Sequence, residues 1–272
     1  MIRLANFWKL VQNENMKIYR RPRTWIMMAF IVLTPLLMSA LIAFMDGTEG
    51  YTNWDMMMVE TSVVFQLITI FAVVKGADSV AGEFTWGTIK LLLIRPWSRS
   101  AILLSKFISL VLFALLFSAL CFVATFVINA AIFGYEASPA GFIPESSPLA
   151  GGSPWAYAAT GYLLLFITQL VILTFGFMLS AAFRSSGLAI GLSIFLLLSG
   201  SMLSGLLSLT DKPWVKFVLF PHLQLTNYLD GGNGPLPNHP TTFGFSLAVL
   251  AVYFVIFNLI SWTVFRKRDV AG

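Results

Sequence analysis

Long uninterrupted apolar runs dominate this chain, separated by short stretches where glycine, proline and charged residues gather. Six runs approach or exceed the roughly 20 residues a helix needs to cross a bilayer. They cover residues 25–45, 56–74, 102–133, 156–183, 187–209 and 243–265. Their apolar positions are continuous rather than alternating, which excludes a transmembrane barrel. Backbone groups in lipid must then close their hydrogen bonds within helices. The pattern predicts an all-α membrane protein, with residues 1–272 forming one transmembrane domain of six helices. Pro35 inside the first run predicts a kink. The third run is longer than a bilayer requires, so it tilts or projects into water.

The stretches between the runs carry their own patterns. Leu4, Phe7, Trp8 and Val11 fall at i, i+3, i+4 and i+7, with Lys9 and Lys17 off that stripe. Residues 1–24 therefore read as an amphipathic helix lying on the membrane surface. Pro22 breaks it within the cluster Arg20, Arg21, Arg23. Residues 75–99 are charged and interrupted by Gly76, Gly82, Gly87 and Pro96, and 134–155 form a loop rich in Gly, Pro and Ser. The connection Thr210–Thr242 is too long for a simple helical hairpin, which takes about two to eight residues. Its segment Val215–Phe220 is too short to span and too apolar for open solvent, so one or two short helices dipping back into the membrane are predicted there.

Composition sharpens this reading. Of 272 residues, 58% are hydrophobic and 11% charged, and the mean hydropathy is +0.83. A soluble domain carries roughly a quarter charged residues. The first apolar run starts near Trp25 with no small-residue cleavage site close behind it, so it is expected to stay as an uncleaved helix. The net charge is +5, and 15 of the 17 Lys and Arg fall on alternate sides of the runs in one set: six before the first, five from Lys75 to Lys106, Arg184, and three at the C-terminus. Lys212 and Lys216 are the other two. The bias of basic residues predicts that both termini are cytoplasmic. These cations are topology signals rather than a nucleic-acid surface.

Chemistry-bearing motifs are sparse. No G-x-x-x-x-G-K-[ST] loop occurs, so the chain itself is not expected to bind ATP in that manner. His222 and His239 lack metal-ligand spacing, and the lone Cys121 lies in an apolar run. Neither a catalytic set nor a cofactor or metal site is predicted, and the chain is not expected to be an enzyme. The runs contain almost no ionisable residues, and Glu60 is the candidate among them for a path; it either lines a substrate vestibule or, as the favoured reading, snorkels to the interface. Gln66, Asn129, Gln169 and Asn258 are neutral polar residues within runs, suited to interhelical hydrogen bonds or, for the first three with Glu60, to a substrate path.

One segment is distinctive: Gly82-Glu-Phe-Thr-Trp-Gly-Thr-Ile-Lys-Leu-Leu-Leu-Ile-Arg-Pro-Trp-Ser-Arg99. Glu83 to Arg95 has the length of about three helical turns, with Pro96 as a stop, and its apolar side needs burial, as in a helix-in-groove contact. The order Glu83, Gly87-Thr88, Leu91-Leu92-Leu93, Pro96, Arg99 and Lys106 resembles the cytoplasmic segment of type-2 ABC export permeases. Phe265-Arg-Lys-Arg-Asp-Val270 is similar to their basic ending, and among them the chain looks most like bacterial permeases of the bacitracin-resistance and sodium-export type. The resemblance implies a permease subunit in a bacterial cell membrane, paired with a second permease subunit. ATP and Mg would sit on a separate ABC ATP-binding subunit. It also implies that Glu83, Phe84, Trp86, Gly87, Thr88, Leu91, Leu92, Arg95 and Pro96 form a coupling helix against that subunit. A re-entrant element before the last span would act as an outer gate, with Trp214, Phe217, Phe220 and Tyr228 as its residues. The alternatives are an ion-coupled secondary carrier or a non-transporting membrane accessory or sensor protein.

Overall fold

The computed structural model describes the backbone at residues 2–89, 97–232, 234–236 and 239–267, with side chains throughout except at 2–6 and 201. Among the described residues every regular element is helical. The order is α1 Ile2–Tyr19, α2 Pro22–Met45, α3 Asn53–Thr85, α4 Arg99–Ile132, α5 Pro154–Ala182, α6 Ser186–Leu207 and α7 Phe243–Lys267. Three short 3-10 turns, Pro213–Phe217, Phe220–Leu223 and Leu225–Tyr228, lie between α6 and α7.

Five helices are long and apolar enough to cross a membrane: α2, α3, α4, α5 and α7. In α6 the apolar stretch counted this way is the shorter Ser186–Gly200. Large apolar side chains face outward on the peripheral helices, among them Leu37 and Phe44 on α2, Phe195 on α6 and Leu259 on α7. A soluble monomer does not expose apolar patches on that scale. The chain is a multi-helix membrane protein.

The helix starts follow capping chemistry. Thr52, Ser98, Ser153 and Ser185 each precede a helix and accept a hydrogen bond from a first-turn amide with the side-chain oxygen. Pro22 and Pro154 stand in first-turn positions, where a missing N–H costs nothing. Pro35 lies inside α2, which continues through it to Met45. The buried residues Ile31, Pro35 and Ser39 repeat every four positions, so α2 touches the bundle along one narrow stripe.

α3 and α5 form the centre. α3 differs from the sequence expectation: it runs through Gly76 and Gly82 to Thr85 instead of ending at Val74. Gly76 serves close approach rather than a break. A Cβ on Gly76 would stand 3.0 Å from the Leu173 carbonyl oxygen of α5, and one on Gly176 would stand 3.1 Å from the Val73 oxygen of α3. Two glycines facing each other let the backbones meet, as small residues do between membrane helices. Ser180 adds to the contact by accepting from the Val80 and Ala81 amides, both at 2.9 Å.

α1 also departs from its predicted face. It packs on α4 with Leu10, Val11 and Glu14 buried, while Trp8, expected on the apolar stripe, is exposed. Ser109 of α4 donates to the Val11 carbonyl at 3.1 Å. A helix flat on a bilayer has no reason to bury a glutamate, and here the glutamate has partners.

Candidate functional site

The basic residues collect at one end of the bundle, where α1, the C-terminal end of α3 and the N-terminal end of α4 converge. Two acids and two lysines alternate there in a closed ring. Lys106 Nζ lies 2.9 Å from Glu14 Oε2 and 3.0 Å from Glu83 Oε1. Lys17 Nζ lies 2.8 Å from Glu14 Oε1 and 3.0 Å from Glu83 Oε1. The remaining oxygen of Glu83 accepts a short hydrogen bond from the Thr88 hydroxyl. Lys106 is 4% exposed and Glu14 is 7% exposed. Burial opposes ionisation of Glu14, yet the charges of Lys106 and Lys17 and their hydrogen bonds outweigh it and hold the carboxyl below its ordinary range. At Lys17 burial likewise opposes the charge, and Glu14 and Glu83 overcome it and raise the ammonium above its usual value.

The ring opens onto a cavity of about 410 Å³, further lined by Arg21, Lys75, Asp78 and Trp86. Asp78 ties α3 to two more helix starts, lying 3.5 Å from Arg21 Nη1 and accepting from Ser186 Oγ at 2.5 Å. Lys75, largely buried, donates to Thr24 Oγ1 of α2 at 3.0 Å. Thus Lys75, Asp78 and Glu83, all on the part of α3 beyond the predicted span, gather α1, α2, α4 and α6. Arg99 donates to the Arg266 carbonyl at 3.1 Å, placing a cation at the C-terminal end of α7 where the helix dipole favours it.

The predicted coupling helix over Glu83–Arg95 is corrected in its first half. Glu83, Phe84 and Thr85 belong to α3, and Gly87 has φ +69°, a left-handed conformation that no right-handed helix continues through. The Gly87 amide donates to the Phe84 carbonyl and closes the helix end. Glu83 and Phe84 turn toward the protein, whereas Trp86, Gly87 and Thr88 are exposed. Leu91, Leu92, Arg95 and Pro96 lie outside the described residues.

The predicted path residues do not form one set. Glu60 does not snorkel: it is fully buried. Its Oε1 lies 2.5 Å from Ser39 Oγ of α2, and its Oε2 accepts from Asn129 Nδ2 of α4 at 2.6 Å. Gln169 is buried elsewhere, its Oε1 accepting from Ser118 at 3.1 Å while its Nε2 has no partner. Gln66 is exposed, and Asn258 donates to the Phe254 carbonyl of its own helix. A second polar cluster adjoins Glu60, where the Tyr162 hydroxyl meets Thr61 at 2.5 Å and Thr125 at 3.0 Å. The sequence pattern names Lys106 within the motif but gives no role to Glu14 or Lys17, its companions in the ring. Lys106 lies inside the third apolar run, and a buried lysine there asks for an acid partner; that was the available signal.

At the opposite end, the predicted re-entrant segment is three 3-10 turns rather than one or two helices. Trp214 and Phe217 are exposed, and Phe220 packs on Gly200, where a Cβ would come within 2.7 Å of its ring. Tyr228 bonds to Thr241 and Ser246, both at 2.7 Å. The four proposed gate residues therefore do not converge on one point. His222 is the organising side chain. Its Nε2 lies 2.8 Å from the Lys216 carbonyl, which only accepts, so Nε2 carries the hydrogen and Nδ1 faces Ser246 Oγ at 2.7 Å. Burial pushes its pKa down, partly offset by the Lys216 carbonyl.

Comparison with known proteins adds family context. Residues 25–271 match the family described as "Protein of unknown function (DUF2705)". The chain is 40% identical over 227 residues to "Uncharacterized protein YhcI" of Bacillus subtilis (strain 168), covering 82% of this chain and 71% of that one. It is 27% identical over 260 residues to "Uncharacterized membrane protein YdbK" of the same organism, covering 94% and 99%.

Proposed function

The chain belongs to the DUF2705 family, and we propose that it serves as the membrane-spanning permease subunit of an ATP-driven exporter. In this reading α2 to α7 make six spans in the cell membrane, with α1 and the C-terminus on the cytoplasmic side. A second permease subunit completes the pathway, and a separate ATP-binding subunit holds ATP and Mg. One observation carries the reading: Glu83 and Lys106, the first and last residues of the permease-like motif, meet at 3.0 Å and are joined there by Glu14 and Lys17 of α1. A partner that moves the turn at Trp86–Thr88 pulls on three helices at once through this ring. The partner's push changes the bundle only by favouring one arrangement over another. This chain's own residues transmit force and hydrolyse nothing.

The test is co-purification of the chain with the product of a neighbouring P-loop gene, followed by ATPase assay. The complex is expected to hydrolyse ATP, and the chain alone is expected to show background activity. Glu83→Ala should insert normally and lose coupling. ATPase activity in the isolated chain, or normal coupling in that variant, overturns the assignment. Topology is checked in a Cys121→Ser background: single cysteines at Thr48 and Ser146 should react with an external impermeant thiol reagent, and those at Ser98 and Ser185 should not.

A further inference from the structure

Glu60 sits seven residues after the start of α3, about 10 Å along the helix. It takes part in none of the ion pairs among the described residues. Its carboxyl meets Ser39 and Asn129, which also meet each other, and counting hydrogens over these contacts decides its state. Asn129 Nδ2 lies 2.8 Å from the Thr125 carbonyl, which only accepts, so the orientation of that amide is fixed. Nδ2 also donates to Glu60 Oε2 at 2.6 Å. Asn129 Oδ1 is then an acceptor, and it faces Ser39 Oγ at 2.9 Å. Ser39 has one hydroxyl hydrogen for two oxygens, Asn129 Oδ1 and Glu60 Oε1, so it can serve only one of the two contacts; Oδ1, on an amide with no hydrogen of its own to give there, needs it. The remaining contact, Ser39 Oγ to Glu60 Oε1 at 2.5 Å, still needs a hydrogen. An ionised carboxylate supplies none, and would leave two oxygens in contact without a donor at a fully buried place. A carboxylic acid supplies it and closes the ring: Glu60 to Ser39, Ser39 to Asn129, Asn129 back to Glu60.

We propose that Glu60 is a proton-binding site, occupied in this arrangement of the helices. The proton joins α2, α3 and α4, since each contributes one member of the ring. The ionisable group that senses its charge is Cys121 of α4, which in turn lies 3.6 Å from the Tyr162 hydroxyl of α5, and the ordinary ranges of both leave them neutral at pH 7. On α2 the facing group is Ser39, which does not titrate. Separating α2 from the other two helices removes the acceptor for the acid hydrogen, so the proton is coupled to where α2 sits. The site stands on this geometry alone and does not depend on the exporter reading.

Infrared spectroscopy of the purified full chain tests it. The wild-type minus Glu60→Gln difference spectrum at pH 7 is expected to contain the carbonyl band of an un-ionised carboxylic acid, shifting down in D₂O. The symmetric and antisymmetric bands of a carboxylate in its place overturn the proposal. Glutamine reproduces the ring, with Nε2 donating to Ser39 and Oε1 accepting from Asn129, so Glu60→Gln should melt at or above the wild-type temperature. Ser39→Ala keeps the acid and removes its acceptor. In that variant the acid band should move to higher wavenumber, and an unmoved band overturns the assignment to this ring.

Discussion

The two ends of this bundle solve the same problem in opposite ways. At the basic end, α1, α3 and α4 are joined by full charges, Glu14, Lys17, Glu83 and Lys106, around a cavity. At the other end the helices and turns are joined by hydrogen bonds without an ion pair among the described residues, and the proposed proton makes Glu60 a neutral member of them. Thr241, Tyr228, Ser246, His222 and the Lys216 carbonyl form one chain, and Glu60, Ser39 and Asn129 form the other. Charged pairs tolerate burial only while every partner is present, and cost most when one is removed. Neutral chains cost less to break but require every hydrogen to be directed. The basic end therefore responds to the loss or movement of a charge, and the far end to the loss of a single hydrogen-bonding group.

The largest expected effect is at Lys106. Lys106→Met leaves the buried Glu14 and the half-buried Glu83 with the partly exposed Lys17 as their remaining shared cation and should cost up to about 3–5 kcal/mol, read by thermal unfolding in detergent. Adding Glu14→Gln should recover part of that loss. If the single variant melts like wild type, the ring is not what joins this end. Next is His222→Ala, which strips the Lys216 carbonyl of its side-chain partner and leaves Ser246 with Tyr228 alone. It should cost about 1–3 kcal/mol and raise hydrogen exchange in residues 213–229 while leaving α1 protected. The smallest effect is at Lys17, whose side chain is 39% exposed. Lys17→Ala should cost at most about 1 kcal/mol.

Acid separates the two ends. His222 has a depressed folded pKa, so its contribution is present above its ordinary value of about 6.5 and is lost as pH falls below it. Glu14 is also depressed, but from an ordinary value near 4.3, and its contribution persists until pH falls through its lower folded value. Between roughly pH 5 and 6.5, the 3-10 turns should exchange faster while α1 stays protected. Simultaneous loosening of both ends in that window would erase the distinction.

Hydropathy made most helices legible in the sequence because lipid demands continuous apolar surface. The ends of α2, α4, α5, α6 and α7 lie within a few residues of the apolar runs. α3 was not legible past Val74. Lys75, Gly76, Asp78 and Gly82 look like a loop until α5 supplies Leu173 and Ser180 as neighbours, and no local pattern announces that contact. The candidate site was half legible: Glu83 and Lys106 stood in the motif, but their α1 partners did not. Glu14 follows Val11 by three residues and could be placed on that helix face only once α4 was known to lie there. Glu60 stands out in the sequence as an acid within an apolar run, but its burial depends on α2 bringing Ser39 to it, which is a tertiary fact.

The facing glycines of α3 and α5 give the molecule a fulcrum. Glu83 lies seven residues beyond Gly76, roughly 10 Å along the axis, and Glu60 lies sixteen residues before it, roughly 24 Å. A rigid α3 rocking on that contact is a lever with unequal arms. A sideways shift of 1 Å at Glu83 becomes about 2 Å in the opposite direction at Glu60, enough to pull apart a hydrogen-bonded ring with no slack.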